Sequence, residues 1–162
     1  MSAHNNWFGL DDELEMVRQF HKKFDLIVAE VPSHISERKL GQRAGFLAEE
    51  VTEFARAAEA QDIVKMFDAL LDIVYVAKGT ATMLGLRHAW KAGFTRVHNA
   101  NMAKVGGMTH RGHGKDVMKP EGWIPPENDL ATIIRQVGYD PGKWRAAGEV
   151  QDSMCLDDER AG

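Results

Sequence analysis

The stretch Leu40-Gly-Gln-Arg-Ala-Gly-Phe-Leu-Ala-Glu-Glu-Val-Thr-Glu-Phe-Ala-Arg-Ala-Ala58 decides the fold. Its apolar positions Leu40, Ala44, Leu47, Val51, Phe54 and Ala58 advance in steps of four and three, the seam of a helix packed in a bundle. Ser36 stands just upstream as the N-cap, and a polar break at Gln61–Asp62 ends the segment. Upstream, Asp11 or Asp12 caps a helix carried by Leu14, Val17, Phe20, Phe24 and Ile27 or Val28, which Pro32 and Ser33 interrupt. Downstream, residues 62–84 are apolar almost all round, from Ile63, Val64 and Phe67 to Leu70, Leu71 and Val74. Such a helix is central in its domain or covered by a second subunit. Gly85 is its stop. A fourth helix spans about residues 87–104, with Trp90, Phe94 and Val97 facing a core and Asn101 and Lys104 continuing the same stripe. Strand signals are nearly absent. The expected fold is all-α, a four-helix core with a loop-rich C-terminal extension.

The 162 residues suit one domain, with the core at about 11–104, a basic loop at 105–129 rich in Gly and Pro, and an extension over 130–162. A short helix is expected at 130–137 and a turn at Tyr139–Gly142. A hydrophobic share of 44% supplies enough apolar material for a core, so disorder is excluded. The formal net charge of −4 argues against a nucleic-acid binder. The lone Cys155 excludes an intrachain disulfide and a thiolate-cluster zinc site. The best membrane candidate, 63–77, is about 15 residues against the roughly 20 a span requires, and it carries Lys65, Asp68 and Asp72. The polar start of the chain lacks the apolar core of a secretory leader, so a cytoplasmic location is expected.

Chemistry concentrates in five carboxylates. Glu49, Glu50 and Glu53 form an E-E-x-x-E array on the second helix, beside its apolar stripe. Asp68 and Asp72, four apart, share one face of the third. Like charges this close repel unless compensated. Two bland explanations exist: a solvated face neutralised by Arg43 or Arg56, and a pair of Asp68 with Lys65 plus an interhelical bridge for Asp72. Brought together on antiparallel helices, the five would instead carry a formal charge of −5. Oxygen-only donors select hard cations such as Mg²⁺ or Mn²⁺ rather than zinc. A ferritin-like di-iron site would need Glu-x-x-His, which no Glu here provides.

These residues resemble the MazG-like all-α nucleoside triphosphate pyrophosphohydrolases, a group that includes phosphoribosyl-ATP pyrophosphohydrolases and dimeric dUTP pyrophosphatases. The resemblance rests on Leu47-Ala-Glu-Glu-Val-Thr-Glu53, on Asp68-Ala-Leu-Leu-Asp-Ile-Val-Tyr-Val76 with Gly79-Thr-Ala81, and on Val97-His-Asn-Ala-Asn-Met-Ala-Lys104. The segment Lys119-Pro-Glu-Gly-Trp-Ile-Pro-Pro126 resembles a loop of the dUTP pyrophosphatase branch. One departure stands out: the family's second motif is E-x-x-D, whereas Ala69 lies three before Asp72, which leaves Asp68 to take the role.

The resemblance implies hydrolysis of a nucleoside triphosphate, with dUTP or dGTP foremost, to the monophosphate and pyrophosphate. It implies Glu50, Glu53 and Asp72 as metal ligands with Asp68 as a fourth, and Glu49 as a ligand or as general base on the attacking water. Two or three Mg²⁺ or Mn²⁺ ions per site are expected. Asn101 and Lys104 are the expected phosphate or sugar contacts, and Lys119 joins Arg111 and Lys115 in a basic loop that could close over the phosphates. His110 and His113 have a ligand-like spacing in that loop, and Trp123 and Tyr75 read as core more readily than as base-stacking surfaces. A homodimer or homotetramer is expected from the third helix. The competing expectations are phosphoribosyl-ATP as substrate and a non-catalytic helical interaction module.

Overall fold

The computed structural model describes residues 12–107 and 116–144. In chain order these form α1 (Asp12–Lys23), α2 (Glu37–Glu59), α3 (Ile63–Met83), α4 (Arg87–Met102), the strands β1 (Val105–Gly107) and β2 (Asp116–Met118), and α5 (Glu127–Gln136). The all-α class is therefore observed. Among the described residues no helix is long and apolar enough to cross a membrane.

Local chemistry sets the helix ends. Ser36 caps α2 as expected, its hydroxyl accepting from the Lys39 amide at 3.4 Å. At the far end the Gln61 amide donates to the Ala58 carbonyl and the Asp62 amide to that of Ala57, with Gln61 at φ 54°. That is a Schellman closure with a non-glycine residue in the left-handed region. Asp62 then caps α3, accepting from the amides of Val64 and Lys65 at 3.1 Å. Five residues thus end one helix, reverse the chain and start the next antiparallel to it.

The first helix is shorter than its apolar spacing predicts. The amides of Asp25 and Leu26 return to the carbonyls of Lys22 and His21, with Asp25 at φ 53°. This second Schellman closure stops α1 at Lys23 and leaves Phe24 and Ile27 outside it. A cap at position 11 lies outside the described residues. The chain then runs along the end of α3, where the amides of Ala29 and Ser33 donate to the carbonyls of Thr82 and Leu84 at 3.1 Å.

The closest packing is between α2 and α3, with α1 laid across α3. The buried residues among those described are few, and many are small: Ala57 on α2, Ala69, Gly79, Ala81 and Thr82 on α3, Gly85 after it and Ala89 on α4, joined by Leu14, Val17 and His21 of α1, Ile35 and Met83. Small side chains let helix backbones approach closely. Helix α3 is central in the packing, touching α1, α2 and α4, yet much of its apolar surface is not covered within the described residues. Ile63, Val64 and Phe67 are 71%, 74% and 62% exposed, and Leu70 and Leu71 are also exposed.

The fourth helix packs mainly on α5 and much less on α3. Its stripe does not face a closed core. Trp90, Phe94 and Val97 line an apolar groove of about 310 Å³ with Leu130, Ile133 and Ile134 of α5, and Phe94 is 67% exposed. The region expected to be wholly loop contains an antiparallel hairpin, in which Val105 pairs with Met118 and Gly107 with Asp116. The helix expected at 130–137 starts earlier, at Glu127. Asp140 does not simply turn the chain. Its carboxylate accepts from the amides of Gly142 and Lys143, capping a helical turn over 141–144 with Pro141 in the first position.

Gly85 explains how α3 ends against the 29–33 segment. It has φ 71°, and a Cβ built there would fall 1.9 Å from the Val31 carbonyl oxygen. Gly85→Ala must adopt a strained conformation and displace backbone as well. The expected loss is about 1–3 kcal/mol or more of stability, read as a lowered denaturant midpoint. An unchanged midpoint would show that the 29–33 segment does not hold this register.

Candidate active site

Two contacts fix the register of the α2–α3 seam. The Arg43 guanidinium donates from Nη2 to the Val76 carbonyl at 2.7 Å and from Nε to the Thr80 hydroxyl at 3.0 Å. Gly79 lies directly beneath it, for a Cβ there would sit 2.9 Å from Arg43 Nη2. Seven residues along an antiparallel pair from Arg43 opposite Gly79, Glu50 meets Asp72.

The electrostatics agree with that placement. Glu50 is half-buried, while Glu49, Glu53, Asp68 and Asp72 are exposed. Burial pushes the Glu50 carboxyl above the ordinary carboxylate range. The negative charges of Asp72, Glu53, Glu49 and Asp68 push it the same way, in that order. The four other predicted carboxylates therefore all act on Glu50, although two of them come from the other helix. Four of the carboxylates do form an exposed face, but none of the cations named for it, Arg43, Arg56 or Lys65, pairs with them. Arg43 is committed to α3 backbone and Thr80, and Lys65 lies 3.9 Å from Asp62 at the helix cap rather than beside Asp68. None of the five carboxylates has an ion-pair partner among the described residues.

Among the described residues no three His, Cys, Asp or Glu side chains are gathered tightly enough to hold a metal ion as they stand. The donor set nevertheless suits one kind of ion. It offers carboxylate oxygen alone, carries uncompensated negative charge and sits on rotatable side chains at the surface, a setting for Mg²⁺ or Mn²⁺.

A cationic counterpart is built from the end of α4 and the hairpin. Lys104 precedes β1 and Lys119 follows β2, so the pairing of Val105 with Met118 places the two lysines as the next pair in register. Both ammonium groups lie over the indole of Trp123, Lys119 at 4.5 Å and Lys104 at 5.9 Å from the ring centroid. The indole Nε1 donates to the Ala100 carbonyl at 2.7 Å, which ties the 119–126 segment to the last turn of α4. Asn101 is exposed in that same turn. Trp123 thus serves the lysines, a role that its sequence position did not reveal. The signal available was the spacing of the hairpin. Arg111, Lys115, His110 and His113 lie outside the described residues.

One further side chain, His21, escaped sequence reasoning, and Tyr75, expected as core, is instead part-exposed against an aromatic neighbour. His21 is buried, its Nδ1–H donating to the Ile27 carbonyl at 2.9 Å, and its Nε2 would lie 3.0 Å from a Cβ on Gly79. Tyr75 stands edge-on to Phe20 at 5.6 Å, and burial raises its phenol pKa.

Residues 17–101, more than half of the chain, match the family described as phosphoribosyl-ATP pyrophosphohydrolase. The matched region contains α2, α3 and all five carboxylates. No curated protein matches the chain significantly.

The raised Glu50 pKa has a definite sign. The folded state binds this proton more tightly than the unfolded chain, so the contribution of Glu50 to stability is fully present below the ordinary carboxylate range. It is lost as the pH rises through the raised value. In chelator-treated buffer, Glu50→Gln is expected to raise the melting temperature at neutral pH, with the gain shrinking on acidification. Equal melting temperatures at neutral pH would show that the carboxylates do not strain the seam.

Proposed function

The chain belongs to the phosphoribosyl-ATP pyrophosphohydrolase family, and from that premise we propose that it hydrolyses a deoxynucleoside triphosphate to the monophosphate and pyrophosphate with the help of divalent metal. As a member of the family it is a pyrophosphohydrolase, a hydrolase of phosphoric anhydride bonds. The substrate, the metal and the residue roles that follow are our reading. The observation that carries it is the convergence of Asp72, Glu53, Glu49 and Asp68 on a half-buried Glu50, with no cation among the described residues to compensate them.

Glu50, Glu53, Asp68 and Asp72 would hold two or three Mg²⁺ or Mn²⁺ ions, whose +4 to +6 charge matches the −5 of the five carboxylates together. When bound, such ions lower the pKa of water and draw charge from phosphate oxygens. Glu49 is either a further ligand or the base that takes a proton onto its carboxylate from the water attacking the α-phosphorus. The bond broken is that between the α-phosphorus and its bridging oxygen, and pyrophosphate leaves. Lys104 and Lys119, paired over Trp123, would meet the charge on the phosphates, with Asn101 hydrogen-bonding phosphate or sugar. The exposed apolar flank of α3 fits a homodimer or homotetramer in which copies complete one another's sites. One such domain per chain then makes only part of a functional unit.

Within the deoxynucleotides, dUTP and dGTP are the candidates to test first. A second reading, phosphoribosyl-ATP as the substrate, is favoured by the family's own description. Both are decided by one panel of deoxynucleoside triphosphates, nucleoside triphosphates and phosphoribosyl-ATP, assayed for pyrophosphate release with Mg²⁺ or Mn²⁺. The catalytic reading fails if none yields a monophosphate and pyrophosphate. Glu50→Gln and Asp72→Asn are each expected to lower turnover by at least about 100-fold, on the scale of lost transition-state stabilisation. Full activity in either would overturn the ligand assignment while leaving the reaction class intact.

Metal dependence has a readout that needs no substrate. Mn²⁺ is expected to raise the melting temperature of the wild-type protein, by mass action on the folded state. The rise should be absent in a Glu50→Gln, Asp72→Asn double variant. A wild-type melting temperature indifferent to Mn²⁺ and Mg²⁺ would instead favour a helical interaction module with an acidic face.

A further inference from the structure

Arg43 is a half-buried cation that the carboxylate site leaves unexplained. It lies on the same face of α2 as Glu50, seven residues and about 10 Å along the helix. Among the described residues it has no carboxylate partner. Its two hydrogen bonds go to neutral acceptors, the Val76 carbonyl and the Thr80 hydroxyl. Burial alone lowers its pKa, with no compensating negative charge among the causes. A buried charge without a paired anion is costly, so a purely structural clamp at this place would be better made by a neutral side chain.

The geometry of the guanidinium is specific. Nε and Nη2 form one edge of its planar fork, and this edge is the one spent on α3. The opposite edge, Nη1 with the second N–H of Nη2, has no partner among the described residues. Three features hold it in place. Thr80 is itself fixed, its hydroxyl donating back to the Val76 carbonyl at 2.9 Å. The absent side chain of Gly79 leaves room for Nη2 against α3. The Phe46 ring lies 5.5 Å from the guanidinium carbon. An Arg fork with one edge anchored and the other open is prepared for bidentate recognition of two adjacent acceptors.

We infer that Arg43 is a substrate-binding residue. Its open edge takes a pair of acceptor atoms on the same nucleotide whose phosphates engage the carboxylate site two helical turns away. The inference rests on the reaction proposed above and adds a residue to it. Two parts of a nucleotide offer such a pair: two oxygens of a phosphate, or the O6 and N7 of a guanine base.

The test is binding and turnover by wild type, Arg43→Gln, Arg43→Lys and Thr80→Val. The probes are non-hydrolysable α,β-methylene analogues of dGTP, dATP, dUTP and dCTP with Mg²⁺. Arg43→Gln is expected to weaken binding roughly 10- to 100-fold, the worth of charge-assisted hydrogen bonds. KM should rise more than kcat falls. Arg43→Lys keeps the charge and should recover only part, because a point charge cannot replace a fork. Thr80→Val keeps Arg43 and its bond to the Val76 carbonyl but removes the Nε anchor, and should also weaken binding. It covers the case in which Arg43→Gln fails to fold. A loss confined to the dGTP analogue assigns the contact to the base edge, and an equal loss for all four assigns it to phosphate. Nucleotide affinities within twofold of wild type in Arg43→Lys and Thr80→Val would overturn the inference. A Mn²⁺-induced rise in melting temperature that survives in both variants shows that the register still holds Glu50 beside Asp72 and that the weakened binding is loss of the nucleotide contact. Loss of the rise together with nucleotide affinity would assign Arg43 to the register alone and overturn the inference. If wild type binds the analogues but releases no pyrophosphate from any substrate, the proposed reaction fails while the role of Arg43 is still decided by affinity.

Discussion

The close antiparallel approach of α2 and α3 is the constraint from which the rest of the structure follows. It depends on the missing side chain of Gly79, which lets the Arg43 guanidinium lie against α3, and on the Arg43 fork that pins the register from one helix to the other. With the register pinned, Glu50 is held beside Asp72 whatever the electrostatic cost, and the remaining carboxylates follow from helical spacing. Repulsion at the site is therefore supported by packing elsewhere along the same seam, in the way that strained functional groups are generally held.

Much of this was legible in the sequence because it is local. Helix α2 announces itself through its 4-3-4 apolar steps and Ser36. Helix α3 is marked by Asp62 and Gly85, and the carboxylates by i, i+3 and i, i+4 spacing. What was not legible depends on geometry that side-chain periodicity does not encode. The stop of α1 is made by Asp25 in a left-handed conformation, which apolar spacing alone passes straight through to Ile27. The hairpin hides in a Gly-rich stretch with three-residue strands, too short to show an alternation. Arg43 was visible as a charge near the Glu array, but its commitment to the backbone of α3 could be known only from the fold.

The surface of α3 shows a different limit. Hydrophobic residues on every side of a helix say that water is to be excluded, but not by what. In the chain Val64 and Phe67 remain open, while the groove between α4 and α5 gathers the stripe that a four-helix core would have placed inward. Sequence pattern measures the demand for burial. Which element meets that demand is a property of packing, and α4 turns to α5 more than to its predecessor.

The β1–β2 hairpin has a consequence for how this protein can change over evolutionary time. The separation of Lys104 and Lys119 is set by the pairing of residues 105–107 with 116–118, not by the number of residues that join the strands. Insertions or deletions between the strands would leave the two ammonium groups as neighbours on the Trp123 ring. Loop length can drift there without retuning the paired ammonium charge, whereas a one-residue slip of the short strands would part the lysines at once.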